Sequence, residues 1–176
     1  MFVLGFDPGL TRCGYGCVGR VDGHDVVRGA GIVTTPPQAP IGERLAELHR
    51  ELAAVVAETT PDVIAVERVL FQTNARTAMA VGQASGIALL VAAEAGVPVV
   101  EYSANEVKLA VTGYGAATKA QVQEMVAVLC RLATPPRPPD VADALALALC
   151  HLAASRSARR ATAHRGGAPV LGGVGR

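Results

Sequence analysis

Tryptophan is absent from this chain of 176 residues, and aromatic residues make up only 3% of it. With 51% of the sequence apolar, one domain of this length can still bury a substantial core. That core must come from Ala, Val and Leu packing, because large rings are not there to fill it. Metal-binding cysteine patterns are missing too. Cys13, Cys17, Cys130 and Cys150 form no C-x-x-C pair, and His151 is merely adjacent to Cys150, so zinc is not expected. Small buried thiols in a reducing cytosol fit better, and a cytoplasmic location follows as the expectation. The N-terminus lacks a basic flank before its short apolar run and reads as a strand, not a signal peptide. No internal repeat is visible. Lysine is the rarest charge: of sixteen basic residues, only Lys108 and Lys119 are not arginine.

A net charge of +1 hides an asymmetry. Residues 1–101 carry seven basic and eleven acidic groups, whereas residues 102–176 carry nine basic and four acidic. A positive second half suits a polyanionic partner, although a basic tail alone would produce the same imbalance.

The apolar pattern orders the elements. Residues 2–7 read as a buried strand, and residues 13–20 and 24–34 as two antiparallel partners joined around Asp22-Gly23. A Pro-rich loop from Pro36 to Pro40 precedes an amphipathic helix near 41–58, with Leu45, Leu48, Leu52 and Val55 at helical spacing. A strand at 62–67, a helix near 75–95 and a strand at 97–101 follow. Helices near 104–112, 118–131 and 140–155 complete the series. Three meandering strands followed by alternating helix and strand predict an α/β fold: a five-stranded mixed sheet with helices on both faces, the ribonuclease H-like order. Residues 1–154 form the expected domain. Residues 155–176, rich in Arg, Ala and Gly, are expected to be a flexible basic tail.

Helix 75–95 carries no charge from Thr77 to Ala93. Its length suits a bilayer, but Gln83, Ser85 and its small residues weaken that reading, and no second span is expected. Burial on most sides fits better. With Gly82 and Gly86 permitting close approach, it is the candidate subunit interface; burial wholly within one monomer is the alternative.

Four acids stand at element ends. Asp7 closes the first strand before the turn Pro8-Gly9, Glu67 closes Val63-Ile64-Ala65-Val66, and Asp140 and Asp143 open the last helix. Each has an ordinary explanation as turn former, solvated partner of Arg68, or helix cap. Gathered on one sheet edge, they would form an oxygen-only cage for hard divalent cations, and two such ions can hydrolyse phosphodiesters. Asp140 and Asp143 share a helix face, and without metal the cluster would repel itself. The two lysines fall in one segment, where a compact ammonium near phosphate or water differs from guanidinium.

The stretches Gly5-Phe6-Asp7-Pro8-Gly9-Leu10-Thr11-Arg12-Cys13-Gly14, Ala65-Val66-Glu67-Arg68-Val69, Val107-Lys108 with Val111-Thr112-Gly113, Thr118-Lys119-Ala120-Gln121-Val122, and Asp140-Val141-Ala142-Asp143-Ala144-Leu145-Ala146 resemble, in order, the RuvC family of Holliday junction resolvases. The resemblance covers about residues 2–153. It implies a homodimeric, Mg²⁺-dependent endonuclease that nicks two symmetric strands of a four-way DNA junction in recombination and repair. Two Mg²⁺ ions per site, replaceable by Mn²⁺, would be held by Asp7, Glu67, Asp140 and Asp143. Lys108 and Lys119 would lie near the scissile phosphate, with Arg68, Phe71 and Arg76 as further DNA contacts. A branch-migration motor of the RuvA and RuvB type is the implied partner. One departure is local: where the family commonly has a base-contacting Phe, this chain has Leu70, followed by Phe71. The competing readings are an actin-like ATP-binding domain, since Asp7-x-Gly9-x-Thr11 matches its first phosphate loop, and another nuclease of the same fold. The first needs a second such domain, and no second copy of the motif is present.

Overall fold

A computed structural model describes residues 1–68 and 75–165. The strands are β1 (Phe2–Asp7), β2 (Arg12–Val21), β3 (His24–Thr34), β4 (Val63–Glu67) and β5 (Val99–Tyr102). They form one sheet in the order β3-β2-β1-β4-β5. The β2 and β3 partners are antiparallel, and β4 and β5 run parallel to β1. The hairpin turn is tight: Val21 pairs with His24, and the two residues between them, Asp22 and Gly23, both have positive φ (49° and 83°). That is the twist-compatible geometry of a two-residue hairpin loop, which Asp-Gly supplies with little strain. The helices are α1 (Ile41–Thr59), α2 (Ala75–Glu94), α3 (Ala104–Thr112), α4 (Lys119–Leu129) and α5 (Pro139–Arg165). The five-stranded mixed sheet with helices on both faces matches the expectation.

Strand alternation divides the core in two. Leu4, Phe6, Ile64 and Val66 point to one side and pack with Leu48 and Leu52 of α1 and Ala88 and Val91 of α2. Val3, Ala65 and Val18 point to the other and meet α4 and α5. On this second side the sheet is bare in one patch. Gly5 pairs with Gly16, and Gly14 pairs with Asp7. A Cβ on Gly5 or Gly14 would collide with the backbone carbonyl of Ala144 or Asp140, and one on Gly16 would come within 2.7 Å of the Leu145 side chain. Helix α5 therefore lies backbone-close on β1 and β2, and its first turns reach the strand ends. Further along, Tyr102 Oη meets His151 Nδ1 at 2.8 Å and ties α5 to β5.

Three expectations need correction. The last helix does not stop near residue 155. It continues to Arg165, so the first eleven residues assigned to a flexible tail are helical; Ala and Arg are strong helix formers and no Pro or Gly interrupts them before Gly166. Helix α2 is not buried on most sides. Ala84, Ser85, Ala88, Val91 and Ala92 are buried, but Met79, Gly82, Gly86, Leu89 and Leu90 are exposed, and nothing lies within 4 Å of where a Cβ on Gly82 or Gly86 would be. Among the described residues, nothing buries this outer face within the monomer. Among the described residues two helices, not one, are long and apolar enough to cross a bilayer by length and composition: Thr77–Glu94 and Pro139–Ala158. The second packs against the sheet, as a core helix does.

Candidate active site

Asp7 and Glu67 are the last residues of neighbouring parallel strands, with Phe6 in register with Val66. Alternation puts Asp7 on the side of Val3 and Gly5, and Glu67 on the side of Val63 and Ala65, both facing α5. The Gly14 contact fixes Asp140 over the same edge, and Asp143 follows one helical turn later. Opposite them, capping boxes set two helix starts: Ser103 with Glu106 for α3 and Thr118 with Gln121 for α4. The second makes Lys119 the first residue of α4, and its Nζ reaches Asp143 Oδ2 at 2.6 Å. Lys108 comes from the middle of α3. Asp7, Glu67, Asp143, Lys108 and Lys119 line one cleft of ≈ 340 Å³.

The electrostatics are those of an over-charged acid cluster. Burial raises the Asp7 carboxyl to about 7, and the charges of Asp143, Glu67 and Asp140 add to the rise while Lys119 opposes it. Glu67 is raised for the same leading reason, burial, with Asp143 contributing. Lys119 is raised above the ordinary lysine value, first by its hydrogen bond to Asp143. Three element ends thus impose a local negative charge that one ammonium only partly offsets.

Asp140 stands apart from the others. It does not line the cleft. Its buried Oδ2 receives no hydrogen bond from the described residues, and its neighbouring cation is the Arg12 guanidinium, with Nη2 at 3.3 Å. The donor set is hard oxygen, and an orphaned carboxylate oxygen beside a carboxyl raised to about 7 is chemically suited to a divalent cation. As the side chains lie, no three His, Cys, Asp or Glu among the described residues are grouped tightly enough to ligate a single ion. Lys119 and Arg12 hold two of the acids instead.

The other sequence candidates are dispersed. Arg68 is exposed at the end of β4, its N–H donating to the Tyr102 carbonyl at 2.8 Å and its guanidinium reaching the Glu101 carbonyl at 3.5 Å. Leu70 and Phe71 lie outside the described residues, as does the side chain of Arg76 near the start of α2. Arg12 was missed as a site residue. The signal available was strand parity: Arg12 is two residues before Gly14 on β2 and so faces α5.

Residues 3–151 match the family described as crossover junction endodeoxyribonuclease RuvC. The RuvC protein of Salinispora arenicola is 55% identical over 153 residues, covering 86% of this chain and 87% of the relative. That of Thermomicrobium roseum is 48% identical over 161 residues, covering 90% and 97%. Among solved structures, Thermus thermophilus RuvC in complex with a Holliday junction substrate superposes with a TM-score of 0.85 at 38% identity, over 90% of this chain and 96% of that one. The yeast mitochondrial Holliday junction resolvase Ydc2 shares the fold at 14% identity, with a TM-score of 0.64 over 93% and 85% of the two chains.

Proposed function

The chain belongs to the RuvC family of crossover junction endodeoxyribonucleases and resolves four-way DNA junctions, and we propose that it does so with two Mg²⁺ ions held by Asp7, Glu67, Asp140 and Asp143. The observation that carries the assignment of the site is the convergence of these acids from β1, β4 and α5 on one edge of the sheet. Such ions, when bound, supply an activated water and offset charge on the phosphodiester. Mn²⁺ is the expected substitute, being another hard ion that oxygen ligands suit.

The chain's own residues do the rest. Lys119, bonded to Asp143, and Lys108, across the cleft, place ammonium groups where charge develops on the phosphate. Their effect is greatest in the transition state, so Lys119→Ala loses rate by roughly 10²-fold or more, with little loss of junction affinity. Arg68, Arg76 and Phe71 are the further DNA contacts in this reading. The uncharged, exposed stripe of α2 serves as the face of a homodimer, giving two sites for paired, symmetric nicks on a substrate with two-fold symmetry. A cytoplasmic protein working beside a branch-migration motor of the RuvA and RuvB type completes the reading.

The test is cleavage of a fixed four-way junction against duplex and RNA–DNA hybrid controls, with Mg²⁺, Mn²⁺ or EDTA. Paired nicks on the junction alone, abolished by EDTA, are expected. Cutting that persists without a divalent ion would overturn the metal assignment, and preference for the hybrid would point to another nuclease of this fold.

A further inference from the structure

Arg12 is an unusual arginine in this molecule. It begins β2 in register with Thr34, and the two residues before it are tied down. The Thr35 hydroxyl donates to the Leu10 carbonyl at 2.6 Å, the Thr35 N–H donates to the Thr11 carbonyl at 3.2 Å, and Arg44 from α1 donates to the hydroxyls of Thr35 and Thr11, each at 2.9 Å. The loop from Pro8 to Arg12 is therefore pre-set. The side chain is not: it is 55% exposed, and it meets the buried Asp140 Oδ2 as an ion pair at 3.3 Å without the geometry of a hydrogen bond. A firmly rooted guanidinium thus rests on a carboxylate oxygen that still lacks a hydrogen-bond donor, at the edge of a cleft otherwise rich in acids.

We propose that Arg12 is a displaceable counter-cation: it neutralises Asp140 while that acid is free of metal, and turns to a DNA phosphate once Asp140 is ligated. The proposal rests on the metal reading above. Three physical points support it. The acids are crowded: Asp7, Glu67 and Asp143 line one cleft and Asp140 sits over the same sheet edge, so each gains from any cation within reach. A single loose guanidinium contact is weaker than ligation of a divalent ion, so it yields to one. The freed side chain then has a planar, permanently charged fork at the cleft edge, suited to phosphate oxygens. Arg12 would be a positioning residue for the ligand and a DNA contact in turn. Loading of the site and grip on the substrate are then linked through one side chain.

The readout is metal affinity without DNA, followed by electron paramagnetic resonance or calorimetry with Mn²⁺. Arg12→Gln should bind Mn²⁺ about twofold to fivefold more tightly than the unaltered protein, the size of an exposed ion pair removed as competitor. Arg12→Lys, which keeps a competing cation, should stay close to the unaltered value. In junction binding, Arg12→Gln should lower the salt dependence by about one phosphate contact in Ca²⁺ and leave it unchanged in EDTA. Equal or weaker Mn²⁺ affinity in Arg12→Gln would show that Arg12 merely steadies Asp140, and a loss of the phosphate contact in both Ca²⁺ and EDTA would make it an ordinary DNA contact; either result overturns the proposal. Failure of the metal reading looks different: the unaltered protein itself would bind no Mn²⁺, and the proposal would fall with it.

Discussion

Helices α2 and α5 are nearly interchangeable on paper. Both contain a window long and apolar enough for a bilayer, both are rich in alanine, and neither has a strongly one-sided apolar stripe. Their fates differ. Of the window Thr77–Glu94, 28% is buried, against 56% of Pro139–Ala158. The cause lies in what each helix meets. Helix α5 faces Gly5, Gly14 and Gly16, where the missing side chains let the helix backbone come down onto the sheet. Helix α2 keeps Gly82 and Gly86 on its own outer face, where they meet nothing among the described residues. Small residues across from a helix draw it into the core and position its first turn; small residues on its outer face leave a surface for something else.

The contrast breaks most sharply at the acids gathered where α5 meets the ends of β1 and β4. Asp7→Asn keeps an oxygen donor but removes the charge the metals need, so junction cleavage should fall by roughly 10³-fold or more. Junction binding, measured by gel shift, should survive, because a carboxylate repels phosphate. Full activity in Asp7→Asn would detach the cleft from the chemistry.

On the α2 side, Gly86→Glu should leave the monomer folded, since the position is open and Glu is the better helix former. In a closed dimer the same charge would be buried unpaired, at an effective cost of several kcal/mol. Sedimentation should therefore show monomers, with paired nicking lost. A dimer that persists in this variant would place the interface elsewhere.

A smaller effect separates the two regions by pH. The folded-state Asp7 carboxyl lies at about 7, against a reference value of 3.8. Between those values the folded chain binds more protons than the unfolded one, so stability falls as pH rises from about 4 to 7. The metal-free protein should lose stability on the order of a few kcal/mol across that window, measurable by urea denaturation. Asp7→Asn should flatten the profile, and Mn²⁺ should restore stability at pH 8. A slope that Asp7→Asn leaves intact would assign it to other groups.

The smallest pair is the cleanest for packing. Gly14→Ala forces a methyl into the Asp140 carbonyl and should destabilise by about 1–3 kcal/mol. Gly82→Ala meets open space and should stabilise by ~1 kcal/mol through helix propensity. Opposite signs in thermal melts are expected; equal signs would mean that the glycine track is not what seats α5.

Much of this was legible in the residues because it was local. The Asp22-Gly23 turn, the alternation that splits Leu4 and Phe6 from Val3 and Gly5, and the carboxylates at strand ends all lie within a few residues of their cause. The continuation of α5 to Arg165 was missed because a basic, alanine-rich stretch has the composition of a tail and the propensity of a helix at once. Arg12 was missed because its partner lies 128 positions away on another element.

The sequence by itself determined the elements, their order and the four acids, because hydrophobic period, turn chemistry and residue type act along the chain. Only the tertiary structure decided which face each helix buries, that Lys119 holds Asp143 while Arg12 holds Asp140, and how far Asp7 is raised. Those depend on through-space packing and on charges brought together from distant segments, which no local pattern encodes.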